Sequence, residues 1–315
     1  MTKRCLSDKG SGFVNKKVAI IIVTYNRCIM LQECLEALFK QTYSSFEIIL
    51  VDNHSSDGTS ELASGIARSD SRLHYFRQDT NLGGAGGYCY GICQAEKLRC
   101  DYVWLMDDDA VCEARALEYL MTAGSQLKNW GFLSGKVLWT DWSLCKMNIP
   151  LFIKGTSGQL YSQVRKATFV SLLIPWKVIQ HVGLPIKEFF IWGDDQEYTE
   201  RISRLFPCFY IAQSVVVHHT AQNTGSDIVY DSLDRLDRYY YKYRNEWYIS
   251  RRNGLISCLY YLFRLLRDTC HIVLTARNKL QRLRIMYQGF RQGLVFRPAI
   301  HYLSEKETES YVEQT

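Results

Sequence analysis

The chain has 315 residues, enough for one large α/β domain with an appendage, and 47% hydrophobic residues are ample for a sizeable core. The formal charge of +6 is uneven: between Arg235 and Arg297 fourteen Lys/Arg stand against three Asp/Glu, a tail suited to an anionic membrane surface, a polyanionic acceptor or nucleic acid. Eleven scattered cysteines, without His or Cys partners at zinc spacing, speak against a zinc ribbon and suit reduced thiols in a cytosolic protein.

Residues 1–16 are polar and lack the apolar centre of a signal peptide. Residues 18–23 (VAIIIV) form a continuous β-branched run, as in a parallel strand buried on both faces, and Thr24-Tyr25-Asn26-Arg27 closes it. A helical pattern follows through Leu31, Cys34, Leu35 and Leu38. Residues 47–51 (EIILV) predict a second strand, ending in the capping-rich run from Asp52 to Thr59. Thr24, Asn26, Arg27, Asp52 and Asn53 then lie at adjacent C-terminal strand ends. There they offer polar groups for a base and ribose; the alternative for Asp52, Asn53 and Asp57 is helix capping.

A helix over 62–67 and a short strand over 73–76 lead to the glycine run Asn81-Leu82-Gly83-Gly84-Ala85-Gly86-Gly87, which opens another helix. Such a run permits close backbone approach, and helix N-termini attract anions; a plain flexible turn is equally compatible with it. The apolar run 102–106 then delivers Asp107-Asp108-Asp109 to a strand end, where open α/β sheets bind ligands. Three adjacent carboxylates repel one another unless a cation sits among them, and their oxygens suit Mg²⁺ or Mn²⁺. Strand–loop–helix repeated in this order predicts a right-handed, mostly parallel α/β sheet.

Further on, 132–139 and 167–174 predict strands, with a polar loop over 154–163 between them. Residues 189–197 (FFIWGDDQE) set aromatic residues before paired carboxylates. That gives a wall for a sugar face beside a general base, because one of two close carboxylates is raised in pKa. Capping of the helix over 195–204 is the other use for them. A strand over 208–217 ends in His218-His219. Only one of the two enters a site, because neighbours on a strand point to opposite faces, and a neutral imidazole there would complete a metal shell. From Asp231 onward the pattern is helical. The longest apolar stretch, 255–276, is broken by Arg264, Arg267 and Asp268 and is not expected to span a bilayer. Residues 276–294 mix Arg277, Lys279, Arg282, Arg284 and Arg291 with apolar residues, which fits either a helix lying on an anionic membrane or one docked on the domain.

The TYNR strand end, VDNHSSDGT, NLGGAGG, the DDD cluster and the aromatic-Gly-Asp-Asp-x-Glu segment together resemble the inverting family 2 glycosyltransferases of GT-A fold, from Val18 to about His219. FFIWGDDQEY followed by His219 is most similar to bacterial galactofuranosyltransferases, with dTDP-rhamnose-dependent rhamnosyltransferases close. The resemblance implies a GT-A domain over 17–230, preceded by a polar tail over 1–16 and followed by a basic helical extension over 231–315. It implies that Asp107, Asp109 and His219 hold Mn²⁺ or Mg²⁺. Thr24, Asn26, Arg27, Asp52, Asn53, Asn81, Gly83, Gly84 and Asp108 would meet the nucleotide-sugar donor. Asp195 would be the general base with Asp194 beside it, and Trp192 and Glu197 would meet the acceptor. Gly193 is an insertion in the pattern and leaves Asp194 and Asp195 as rivals for the base. The expected partners are UDP-galactofuranose and a cell-surface or lipid-linked glycan, with no nucleic acid. The place expected is the cytoplasm, at the inner membrane face if the tail makes a peripheral contact. From another class, a nucleotide-sugar- or polyanion-binding module without turnover would fit the basic tail, though it would need no general base. A nucleotidyltransferase is disfavoured, since the first strand lacks a Gly-rich, Lys/Arg-bearing loop.

Overall fold

The computed structural model describes residues 16–156 and 161–303. Its centre is β1 (Val18–Thr24), which pairs in parallel with β2 (Phe46–Asp52) on one side and β4 (Tyr102–Asp107) on the other. Side chains alternate across a strand, so Val18, Ile20 and Ile22 enter one core and Ala19 and Ile21 the other. Burial on both faces explains why these strands read as unbroken apolar runs. β3 (Leu73–Arg77) extends the parallel part beyond β2.

The connections are α1 (Cys28–Phe39), α2 (Thr59–Ser69) and α3 (Gly83–Lys97). The sheet order β3-β2-β1-β4 reverses direction between β1 and β4. Open α/β sheets form a crevice at such a reversal. The register sets Thr24 opposite Asp52 and Val23 opposite Asp107, so the polar strand ends are level.

β5 (Ala110–Cys112) leaves the aspartate cluster, and α4 (Ala116–Gln126) leads to β6 (Leu133–Trp139). The chain continues through β7 (Leu151–Phe152), β8 (Ser162–Lys166), β9 (Leu172–Pro175), α5 (Trp176–Val182), α6 (Asp194–Ser203) and β10 (Phe209–His218). Beyond β4 the order is β9-β6-β10-β8-β7, with β9 antiparallel to both its neighbours and β5 antiparallel to β10. The expected strand over 167–174 is shorter than predicted, because a 3₁₀ turn at Phe169–Ser171 precedes β9. Of the polar stretch 154–163, residues 157–160 lie outside the described residues, and Ser162 already belongs to β8. The tail over 1–15 is likewise outside them.

Three helices close the described chain: α7 (Asp237–Arg252), α8 (Leu255–Thr275) and α9 (Lys279–Val295). α9 lies on α7 with Ile285, Met286, Gly289 and Gly293 buried. A Cβ at Gly289 would come within 2.4 Å of the Tyr240 carbonyl oxygen, so the two backbones nearly touch. Arg282 is buried and donates to the carbonyls of Arg277, Ile228 and Asp231. Of the two readings of 276–294, docking therefore describes Ile285 and Met286, while Leu280 stays exposed. Among the described residues no helix is long and apolar enough to cross a membrane.

Candidate active site

Asp107 ends β4, and the tight turn through Asp108 and Asp109 sends the chain into β5. Because β5 pairs with β10 in the register Ala110↔His218, His218 arrives beside the cluster. Its Nε2 stands 2.9 Å from Asp109 Oδ1 and 3.6 Å from Asp107 Oδ2. One ligand atom from each of Asp107, Asp109 and His218 lies within 4.8 Å of the others. Two carboxylates and an imidazole are a suitable set for Mn²⁺ or Mg²⁺, so the residues present fit a divalent cation. His219, expected in this place, turns the other way and meets Glu33 of α1 at 3.1 Å. Strand alternation produces the exchange. Asn148 Oδ1 lies 2.9 Å from His218 Nδ1, leaving Nε2 to face the carboxylates, and Tyr88 places its hydroxyl 2.6 Å from Asp107 Oδ1.

Burial pushes Asp109 up, but hydrogen bonding and charge from His218, with Arg27, outweigh it and hold the carboxyl at about 2. Burial disfavours the charged His218 ring, yet its bond to Asp109, with Cys145 and the nearby carboxylates, raises it to about 10.

Arg27 turns to the aspartate cluster. It joins Asp108 at 3.1 Å and also Asp109, while Thr24 Oγ1 donates to Asp108 at 2.7 Å. Asp108 is buried and held at about 7, burial outweighing the pull of Arg27. Asp52 is also enclosed: it accepts from the Ser55 amide at 2.8 Å and the Tyr75 hydroxyl at 2.7 Å. Asn26, at φ 53°, accepts from the Ser56 amide, and Asp57 caps α1 through the Cys28 amide. These residues shape the rim of the crevice. Their side chains are already engaged because the turns they form need them as acceptors.

The glycine run is not a loose loop, since α3 begins at Gly83 with Asn81 Oδ1 accepting the Gly83 amide at 2.8 Å. Asn53 Nδ2 donates to the Gly83 carbonyl at 2.9 Å. Gly83 itself has φ 71°, and a Cβ there would sit 2.2 Å from the Phe190 carbonyl oxygen. Its close approach is therefore to Phe190, while Gly84 remains half-buried beside it.

That contact joins the two halves of the site. Phe190 has φ 63° and ψ −63°, and the Ile191 amide donates to the Phe189 carbonyl at 2.7 Å. Together these define the rare positive-φ γ-turn, a strained conformation. Trp192 at φ 63° and Gly193 at φ 87° continue the bend, which ends by starting α6 at Asp194. Four residues hold the bend. The Ala85 amide donates to the Phe190 carbonyl, and Tyr241 stacks on the Phe190 ring at 4.6 Å. Most of all, the wholly buried Asn245 of α7 directs Nδ2 at the carbonyls of Phe189, Ile191 and Trp192, at 2.9, 3.2 and 2.8 Å. Arg244 adds donations to Glu188 and Phe189.

The bend delivers Asp194 and Asp195 as neighbours of Asp107. Burial, then Asp195, raises Asp194 to about 8; burial, with a smaller contribution from Asp107, raises Asp195 to about 6. Asp195 is the more open of the two and accepts the Gln196 amide. Trp192, expected to wall an acceptor, packs edge-on against Tyr239 at 5.1 Å. Glu197 turns inward, bidentate to Arg201 at 3.1 and 2.8 Å with Arg252 at 3.4 Å, so its carboxylate is committed to an internal ion pair. One helical turn after Asp194 it shares that residue's buried side. The sequence reading missed Asn148, Tyr88 and Asn245; an Asn inside an aromatic, basic helix carries no motif.

The mixed, mostly parallel sheet with its switch point and C-terminal helices is the GT-A glycosyltransferase fold. The mannosyltransferase PcManGT from Pyrobaculum calidifontis, solved with GDP-Man and Mn²⁺, superposes with a TM-score of 0.52 at 13% identity, covering 94% of this chain and 78% of that one. Residues 19–127 match the family described as glycosyl transferase family 2. The chain is similar to galactofuranosyltransferase GlfT1 of Mycobacterium tuberculosis, 25% identical over 78% of this chain and 86% of that one. Glycosyltransferase GlyG of Streptococcus pneumoniae is 30% identical over 34% of this chain, a match spanning 35% of GlyG's length.

Proposed function

We propose that this enzyme transfers a galactofuranosyl group from UDP-galactofuranose, with inversion, to a hydroxyl of a glycan or lipid-linked glycan. The observation that carries the chemistry is the nearness of Asp194 and Asp195 to Asp107, which itself stands with Asp109 and His218 in one cluster. Support for the sugar comes from the likeness to GlfT1 over most of both chains. Asp107, Asp109 and His218 would hold Mn²⁺ or Mg²⁺, which when bound supplies positive charge to the diphosphate leaving group. Asp195, ionised at neutral pH, takes the proton of the acceptor hydroxyl. The hydroxyl oxygen bonds to the anomeric carbon from the face opposite the diphosphate, the bond to the diphosphate oxygen breaks, and UDP departs. Asp194 keeps its proton and so limits the repulsion that a second charge would add beside Asp195. The Asn245-held bend fixes where both carboxyls point, which is the positional control such a transfer requires.

The test is release of UDP or dTDP from a panel of nucleotide sugars with Mn²⁺ and an oligosaccharide acceptor present. Selective turnover of UDP-galactofuranose over UDP-galactopyranose and UDP-glucose is expected. Preference for dTDP-rhamnose would overturn the sugar assignment.

A further inference from the structure

α8 is docked the wrong way round for a helix that faces water. A surface helix normally turns its polar side outward. Here polar groups are used inward: Arg264 meets Glu246 of α7 at 3.1 Å, Asp268 accepts from the Tyr243 hydroxyl at 2.9 Å, and Thr269 meets the Tyr287 hydroxyl at 3.0 Å. The outward side is apolar along the whole helix. Ile256 is 84% exposed, Phe263 63% and Leu274 78%, with Leu259, Tyr260 and Leu266 exposed between them. At 3.6 residues per turn the exposed positions from Leu255 to Leu274 fall within an arc of about 160°, on a helix roughly 30 Å long. Arg267 is the single charged residue of that arc, and it is paired to Asp268 at 2.7 Å. A continuous strip of this kind marks an interaction surface.

Charge selects the occupant. From Arg251 to Arg297 the sequence carries ten Lys/Arg and one Asp, Asp268. Arg277 and Lys279 follow α8 directly and are exposed, as are Arg284 and Arg291 of α9. A second copy packed on this face would bring two such cationic surfaces together. An anionic bilayer offers the complement of both features, phosphate headgroups for the cations and acyl chains for the apolar arc. α8 is too charged to span, but its length and one-sided arc suit a helix lying in the membrane plane. We infer that the exposed face of α8 seats this chain on an anionic lipid bilayer. This goes beyond the transfer chemistry and does not depend on the donor sugar.

The experiment is co-sedimentation of the full chain with phosphatidylcholine vesicles containing or lacking phosphatidylglycerol, for the wild type, Leu259→Glu and Phe263→Glu. Both side chains point away from the protein, so the variants should keep the wild-type far-UV spectrum and melting temperature. Binding to the anionic vesicles is expected, and each substitution should weaken it by at least about tenfold, the cost of denying one large apolar side chain its burial. Binding retained by both variants and abolished by salt would assign it to the cations alone and overturn insertion. No binding to anionic vesicles would end the proposal. A concentration-dependent dimer, dissolved by the same substitutions in the absence of vesicle binding, would transfer the face to a second copy of the chain.

Discussion

His218 carries its proton because Asp109 and Asp107 hold it there, and a metal must displace that proton to reach Nε2. Binding of Mn²⁺ should therefore release a proton, and apparent affinity should climb by about tenfold per pH unit until the imidazole is neutral. Titration calorimetry in buffers of different ionisation enthalpy reads the released proton directly. His218→Ala should abolish tight binding, while His219→Ala, which breaks only the contact with Glu33, should leave the titration unchanged. Asn148→Ala should cost roughly 10–100-fold in affinity, since it orients the ring from behind. At the opposite wall, Asp195→Asn should retain Mn²⁺ and UDP binding and lower kcat by about 10²–10⁴. The wild-type rate should rise with pH through about 6, where Asp195 ionises. A profile flat across that range would move the base elsewhere.

At the scale of elements, the γ-turn at Phe190 is the part that α7 maintains. Asn245→Leu would leave the carbonyls of Ile191 and Trp192 without their buried donor and take one of its donors from Phe189, costing about 1–3 kcal/mol of stability. If Asn245 positions the acid pair, kcat should fall more than KM for the sugar donor changes, and the pH shoulder near 6 should shift. A merely structural role would lower the melting temperature and leave the shoulder in place. This bracing was not legible in the sequence, because Asn245 lies about fifty residues from the segment it holds. β1, β2 and β4 were legible because burial on both faces leaves short apolar runs that turn residues close. The choice between His218 and His219 was not. Its parity depends on pairing with β5, and a register shift between Ile211 and Val215 spoils any count along β10. β8 was hidden by its composition: SQVRK, lying between β10 and the short β7 near the sheet's end, buries only Ser162 and Val164.

In the whole molecule the metal-free site is a store of protons. His218 is raised to about 10, Asp194 to about 8 and Asp108 to about 7, so each binds its proton more tightly when folded than when unfolded. Where the folded state holds more protons, stability falls as pH rises. The metal-free chain should therefore lose stability progressively above about pH 4, the ordinary carboxylate range, and on through about pH 10. Asp194→Asn should flatten the lower part of that slope up to about 8, and Mn²⁺ should flatten the upper part by replacing the proton on His218. Melting curves across pH, with and without Mn²⁺, check both. An unchanged slope in Asp194→Asn would mean that its carboxyl titrates as in the unfolded chain.

The line of contacts from the Asn53 side chain through Gly83 to Phe190, fastened by Asn245, ties the wall that would receive the nucleotide to the turn that aims the acid pair. Its consequence concerns the order of events. If the nucleotide sugar settles Gly83, it also settles the carboxyl that the second substrate meets, so the two ligands should enter in sequence, donor first. Each should strengthen the other's binding by the same factor, because such linkage is reciprocal. Gly83→Ala, which drives a methyl group into the Phe190 carbonyl, should uncouple them, and initial-rate patterns with both substrates varied would show the change from ordered to random addition.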